Sequence, residues 1–169
     1  MGTVTRTTLT VVLGIAAVVL LVALFGRGGG VVTATPAADG TVRMVMEERA
    51  FAPTDVTIVA GRPVTFEFVN RDVGSHMVSF GRAVVEEDQR AVGFGEDLLA
   101  GLDVDVRPSV DRMDVQPPYR GTTIMVQGGE TVSVTFTVPP ERRGDWQIGC
   151  FTSRGCDYRT GMAAALHVE

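Results

Sequence analysis

Val56-Thr57-Ile58-Val59-Ala60-Gly61-Arg62-Pro63-Val64-Thr65-Phe66-Glu67-Phe68-Val69-Asn70 carries the pattern that decides the fold. A β-branched run is cut by a Gly-Arg-Pro turn signal and is followed by strict alternation. Val64, Phe66 and Phe68 point to one face, and Thr65 and Glu67 to the other. Alternation with a period of two is the mark of a strand with one face in a core. The pattern recurs outward in both directions. Upstream, Val42, Met44 and Met46 alternate with polar or smaller residues. Downstream, Met77-Val78-Ser79-Phe80 forms a short apolar run. Residues 122–126 and 131–138 flank Gln127-Gly128-Gly129-Glu130, a hairpin-like turn. Residues 146–150 and 163–168 close the set. Seven or more short strands with turn signals between them predict an all-β domain, a sandwich or barrel.

Residues 83–120 break the pattern. Glu86, Glu87, Asp88, Asp97, Asp103, Asp105, Asp111 and Asp114 make the segment acidic, and Pro108, Pro117 and Pro118 interrupt it. The expectation is a long acidic insertion between core strands, with one or two helical turns over 96–102. A solvated lid is the plain reading of such a loop. A docking patch for a basic redox partner and carboxylate capture of a hard cation are the sharper ones. No EF-hand spacing accompanies the acids.

The N-terminus has its own signature. No residue between Arg6 and Arg27 is charged, and residues 9–25 are almost purely apolar. About twenty uncharged helical residues reach ~30 Å, one hydrocarbon core. Residues 1–27 are therefore expected to form one transmembrane helix, N-terminus inside and the following domain outside the cytoplasm. A cleaved signal, with Val32-Thr33-Ala34 as the cleavage site, is the alternative. No cysteine follows the apolar run, which excludes a lipoprotein anchor. Residues 28–40 read as a flexible linker, and 41–169 as the folded domain.

Charge narrows the function. The 169 residues carry a net charge of −5, and Arg6 and Arg27 hold two positive charges, so the remainder stands at −7. An acidic domain is a poor partner for nucleic acid or anionic lipid. Every basic side chain is arginine. With only two histidines, no Ser/His/Asp grouping has a nucleophile context. No phosphate-binding glycine loop is present either, so hydrolase and kinase readings have no support.

Two distant regions concentrate soft donors. The first, Val69-Asn70-Arg71-Asp72-Val73-Gly74-Ser75-His76-Met77, brings a histidine to a strand start. The second runs Gly144-Asp145-Trp146-Gln147-Ile148-Gly149-Cys150, then Gly155-Cys156 and Gly161-Met162. Imidazole, thiolate and thioether together suit copper. Trp146 reads as core. Met44, Met46, Met77, Met113 and Met125 read as core or loop, lacking the short regular spacing of a methionine-rich copper carrier.

Phe51-Ala52-Pro53, the 56–61 strand and turn, Val64-Thr65-Phe66, Val69-Asn70 and His76 resemble the first half of a bacterial cupredoxin. Gly128, Glu130-Thr131-Val132, Phe136, Gly144-Asp145-Trp146 and Cys150 resemble the second half. The resemblance covers residues 41–81 and 121–169 and implies a Greek-key β-sandwich. It implies a blue-copper site with His76 as the first histidine, Cys150 as the thiolate and Met162 as the axial thioether. The chain departs from the family where a Gly-His pair belongs between the cysteine and the methionine. Gly155-Cys156 stands there, and the loop is longer.

Three readings follow. Cys156 replaces the histidine and makes a two-thiolate site. Alternatively, Cys150 and Cys156, the only cysteines, form a disulfide in an oxidising compartment and leave no blue copper. Or His167 substitutes from the last strand. The binuclear copper motif needs a tighter cysteine spacing and is set aside. The functional expectation is a non-enzymatic, membrane-tethered copper protein that passes single electrons to and from a redox protein, or holds copper. The alternative is a metal-free binding or structural module stapled by Cys150–Cys156, possibly of a metal-uptake kind.

Overall fold

The computed structural model describes residues 33–108, 112–113 and 119–169, and residues 112–113 and 153–156 by their backbone alone. The expected membrane helix lies outside these residues. Among them no helix is long and apolar enough to cross a membrane.

The described chain is mostly strand. It runs β1 (Thr33–Ala34), β2 (Thr41–Glu47), β3 (Ala50–Ala52), β4 (Asp55–Ile58), β5 (Pro63–Asn70), β6 (His76–Glu87) and β7 (Arg90–Asp97). There follow β8 (Asp105–Arg107), β9 (Arg112–Met113), β10 (Thr123–Val126), β11 (Thr131–Thr137), β12 (Gly144–Gly149), α1 (Thr152–Arg159) and β13 (Ala163–Val168). One sheet has the order β1-β4-β13-β12-β6-β10-β9, with β7 paired to β6, and the other the order β3-β2-β5-β11-β8. The expected β-sandwich is the fold.

The core forms where alternation predicts it. Val64, Phe66 and Phe68 of β5 and Val132, Val134 and Phe136 of β11 are buried, as are Val42, Met44 and Met46 of β2. Phe66 stacks on Phe136 with ring centres 5.7 Å apart and meets Phe80 of the facing sheet edge-on at 5.2 Å. Each such ring contributes roughly 1.5–3 kcal/mol by leaving water. Trp146 is core as expected: its indole N–H donates to the Arg142 carbonyl at 2.8 Å, and the Arg82 guanidinium lies 4.3 Å from its ring centre.

Three details differ from the sequence reading. The linker ends early, because Thr33 and Ala34 pair with Asp55 and Val56 as an edge strand. The insertion is not a loop throughout. β6 runs on past the core to Glu87 and turns back as β7, and β8 adds an edge to β11. Residues 96–102 form no helix; Glu96 and Asp97 end β7, and a turn follows. Alternation is lost in this hairpin because its outer part is exposed. Three of its acids are paired with arginines, Glu96 with Arg82 of the same hairpin, and Glu87 and Glu86 with Arg120 and Arg159 from further along the chain.

Candidate metal centre

The site lies at one end of the sandwich, where β5 hands the chain to β6 and β12 hands it to α1. Asn70, buried at the end of β5, organises the first connection. Its amide donates to the Gly74 carbonyl at 2.8 Å and the Val126 carbonyl at 3.0 Å, and its carbonyl accepts the Asp72 N–H at 3.0 Å. Gly128, from the β10–β11 turn, packs directly on this loop. A Cβ there would lie 2.2 Å from the Val73 carbonyl oxygen, so only glycine permits the approach.

The loop delivers His76 to the first position of β6, 5% exposed. Its Nε2 lies 2.8 Å from Asp72 Oδ2. Asp72 is held in turn by the Glu48 and Arg49 N–H groups, at 2.9 and 3.2 Å, across a β2–β3 turn whose two residues have φ of 51° and 58°. Burial pushes the Asp72 carboxyl up, but the His76 and backbone hydrogen bonds outweigh it and hold it below its ordinary value. An ionised carboxylate only accepts, so Nε2 carries the ring proton. In the neutral ring Nδ1 then bears the lone pair. This carboxylate–histidine arrangement is how proteins orient a metal-binding imidazole.

Nδ1 faces the other half of the site. Cys150 Sγ is 3.7 Å away and Asp157 Oδ2 4.0 Å. Cys150 follows β12, is fully buried and carries a free thiol. Burial pushes that thiol above its ordinary value, against hydrogen bonds from Thr152 and the Met77 backbone. It therefore stays protonated until a cation takes the place of the proton. Thr152 bridges the pair: its hydroxyl lies 3.0 Å from Cys150 Sγ and donates to Asp157 Oδ2. Asp157 is 2% exposed, and its Oδ1 has no hydrogen-bond partner among the described residues. Arg49 Nε stands 3.8 Å from that oxygen, beyond hydrogen-bonding range.

One ligand atom each from His76, Cys150 and Asp157 lies within 4.8 Å of the others, and all three residues are buried. These three are positioned to hold a metal ion. Met162 joins the same end: it is fully buried, its carbonyl accepts the Cys150 N–H at 3.1 Å and its N–H donates to the Asp157 carbonyl at 2.9 Å. The side chain of Cys156 lies outside the described atoms. His167 is at the far end of β13, bound to Asp145 at 2.7 Å and Asp55 at 3.3 Å, and takes no part. Sequence reasoning missed Asp157, Asp72 and Thr152. The available signals were an aspartate four residues before the histidine and another between Cys150 and Met162.

A cavity of about 410 Å3, lined by Glu48, Arg49, Asp72, Gly74, Ser75, His76 and Asp157 among others, opens beside the site.

No family model matches the chain. It is 31% identical over 116 residues to auracyanin-B of Chloroflexus aurantiacus, across 66% of this chain and 46% of the relative. The chain thus spans about half the length of that curated relative. An auracyanin B structure is similar with a TM-score of 0.50 at 26% identity, covering 84% of this chain and 96% of that one. The dithionite-reduced auracyanin from Roseiflexus castenholzii shares the fold, with a TM-score of 0.50 at 18% identity and coverage of 79% and 99%. A likeness of that extent takes in both sheets, and the sequence relationship accompanies it. The chain is a relative of auracyanin-B and has the cupredoxin fold.

Proposed function

We propose that the domain binds one copper ion and carries single electrons between protein partners on the outer face of the cytoplasmic membrane, tethered by residues 1–27. One observation carries the reading: His76 Nδ1, the Cys150 thiol and one Asp157 carboxylate oxygen converge among buried residues, and the other Asp157 oxygen has no hydrogen-bond partner among the described residues. A buried side-chain oxygen without a hydrogen-bond partner is costly until an ion or ligand engages it, and the Arg49 ion pair at 3.8 Å comes from an exposed side chain. The donor set is soft enough for copper. Copper would supply the one-electron Cu(II)/Cu(I) couple there. The electron comes from a reduced protein donor and leaves to an oxidised protein acceptor, with no atom transferred. The chain's own residues hold the donors at fixed positions and exclude water, as a carrier rather than an enzyme requires.

The apolar N-terminal run suits a tether, which raises the local concentration near membrane redox proteins. The test is to add Cu(II) to the purified metal-free protein, record the visible spectrum and count free thiols after unfolding. An intense thiolate-to-copper band that disappears in Cys150→Ser supports the proposal. Zero free thiols and no bound copper would reveal a Cys150–Cys156 disulfide and sink it.

A further inference from the structure

We propose that the Asp157 carboxylate, rather than Cys156, fills the place where cupredoxins use a second histidine, so that copper is held by one imidazole, one thiolate and one carboxylate. This rests on the copper reading above.

The histidine supply excludes the usual set. The chain has two histidines. His167 lies five residues along β13 from Met162, about 17 Å at the rise of an extended strand. It is also engaged by Asp145 and Asp55. The remaining donor must therefore come from another residue type.

Asp157 meets the requirements of that donor. Its side chain is 3% exposed, and one oxygen stands 4.0 Å from His76 Nδ1. The other oxygen is the buried side-chain atom without a hydrogen-bond partner among the described residues. Arg49, whose side chain is 68% exposed, reaches it only as an ion pair at 3.8 Å, without a hydrogen bond. The residue is fixed from several directions. Its carbonyl accepts from the Met162 N–H and the Thr160 hydroxyl, at 2.9 and 3.1 Å. Its neighbour Tyr158 anchors α1 by stacking on Phe151, with ring centres 4.9 Å apart. The cavity beside Asp157 and His76 provides an entry path from solvent.

The exchange alters the chemistry. A carboxylate is harder than an imidazole and carries a negative charge. Two anionic donors stabilise Cu(II) more than Cu(I), so the site holds its copper oxidised at a lower potential than a two-histidine site would. The single imidazole leaves a spectroscopic mark that does not depend on electron-transfer activity.

The experiment uses the full chain, loaded with Cu(II), with pulsed EPR to count coordinated imidazole nitrogens and a titration to measure affinity. The wild type is expected to show one imidazole. Asp157→Asn should bind Cu(II) at least about 10-fold more weakly, with metal-free thermal unfolding as the check on folding. Cys156→Ser should match the wild type in affinity and spectrum. Asp157→His should show two imidazoles and a raised potential, a gain that a misfolded variant would not produce. Two imidazoles in the wild type would overturn the assignment. So would retention of copper in Asp157→Asn with its loss in Cys156→Ser. Those outcomes leave the copper reading standing, whereas a wild type that takes up no copper overturns both.

Discussion

His76 offers Nδ1 rather than Nε2 because Asp72 can only accept, and Asp72 stays put because two backbone N–H groups grip it. Asp72→Asn removes the charge and places a donor where one oxygen accepted. The expected outcome is a 10- to 100-fold loss of copper affinity, read by titration, with Cys150 and Asp157 untouched. At the other end of the molecule His167 carries a different consequence. The Asp145 carboxylate raises its pKa above the ordinary 6.5, burial pulls against this, and Asp55 adds to the rise. A raised folded pKa means that the protonated form stabilises the fold. That stabilisation is fully present below the unfolded value near 6.5 and is lost as pH rises through the folded one. The side chain is 40% exposed, so the effect stays below about 1 kcal/mol. Melting curves of wild type and His167→Asn should differ most near pH 5 and converge by about pH 9. A difference that grows with pH contradicts this.

At the scale of elements, the β6–β7 hairpin has a role that its acidic composition concealed. Phe94 of β7 meets Phe151 edge-on at 5.0 Å and Tyr158 at 6.1 Å, so the hairpin braces the segment that carries Asp157. Phe94→Ala should cost about 3 kcal/mol in denaturant unfolding and speed copper release to a chelator. Unchanged release would show that the brace does not reach the site. The strands with one buried face were legible: Val64, Phe66 and Phe68, or Val132, Val134 and Phe136, alternate because one sheet face is dry. The outer part of β6 was not, since both faces there meet water and no period of two is imposed. Its acids read as a loop because the arginines that neutralise them, Arg120 and Arg159, lie far along the chain. The helix α1 was missed for a related reason: short and polar, it has no apolar stripe of its own.

For the whole molecule, stability and site are largely separable. Phe66, Phe68, Phe80 and Phe136 form one aromatic stack between the sheets. Phe66→Ala should lower unfolding stability by about 4 kcal/mol while leaving the copper affinity of the remaining folded protein within about threefold, the scatter expected between distant sites. A large affinity loss would show that the core sets the donor positions directly. His76 and Cys150 were legible through their family spacing, and the structure brings their donor atoms together, with the Met162 backbone bonded to Cys150 beside them. Asp157 was not, because an aspartate in an acidic chain carries no distinguishing signal until burial singles it out.

The backbone bond from the Cys150 N–H to the Met162 carbonyl clamps the base of residues 151–161. The residues between those two points take no part in the β12–β13 strand pairing. Lengthening such a closed loop costs little, since closure entropy grows only with the logarithm of its length. The segment is thus a cassette fixed at its base by one backbone bond, and the ring contacts of Phe151 and Tyr158 with Phe94 are what a replacement must keep. Its donors can be rewritten by exchanging eleven residues without altering the strand pairing on either side.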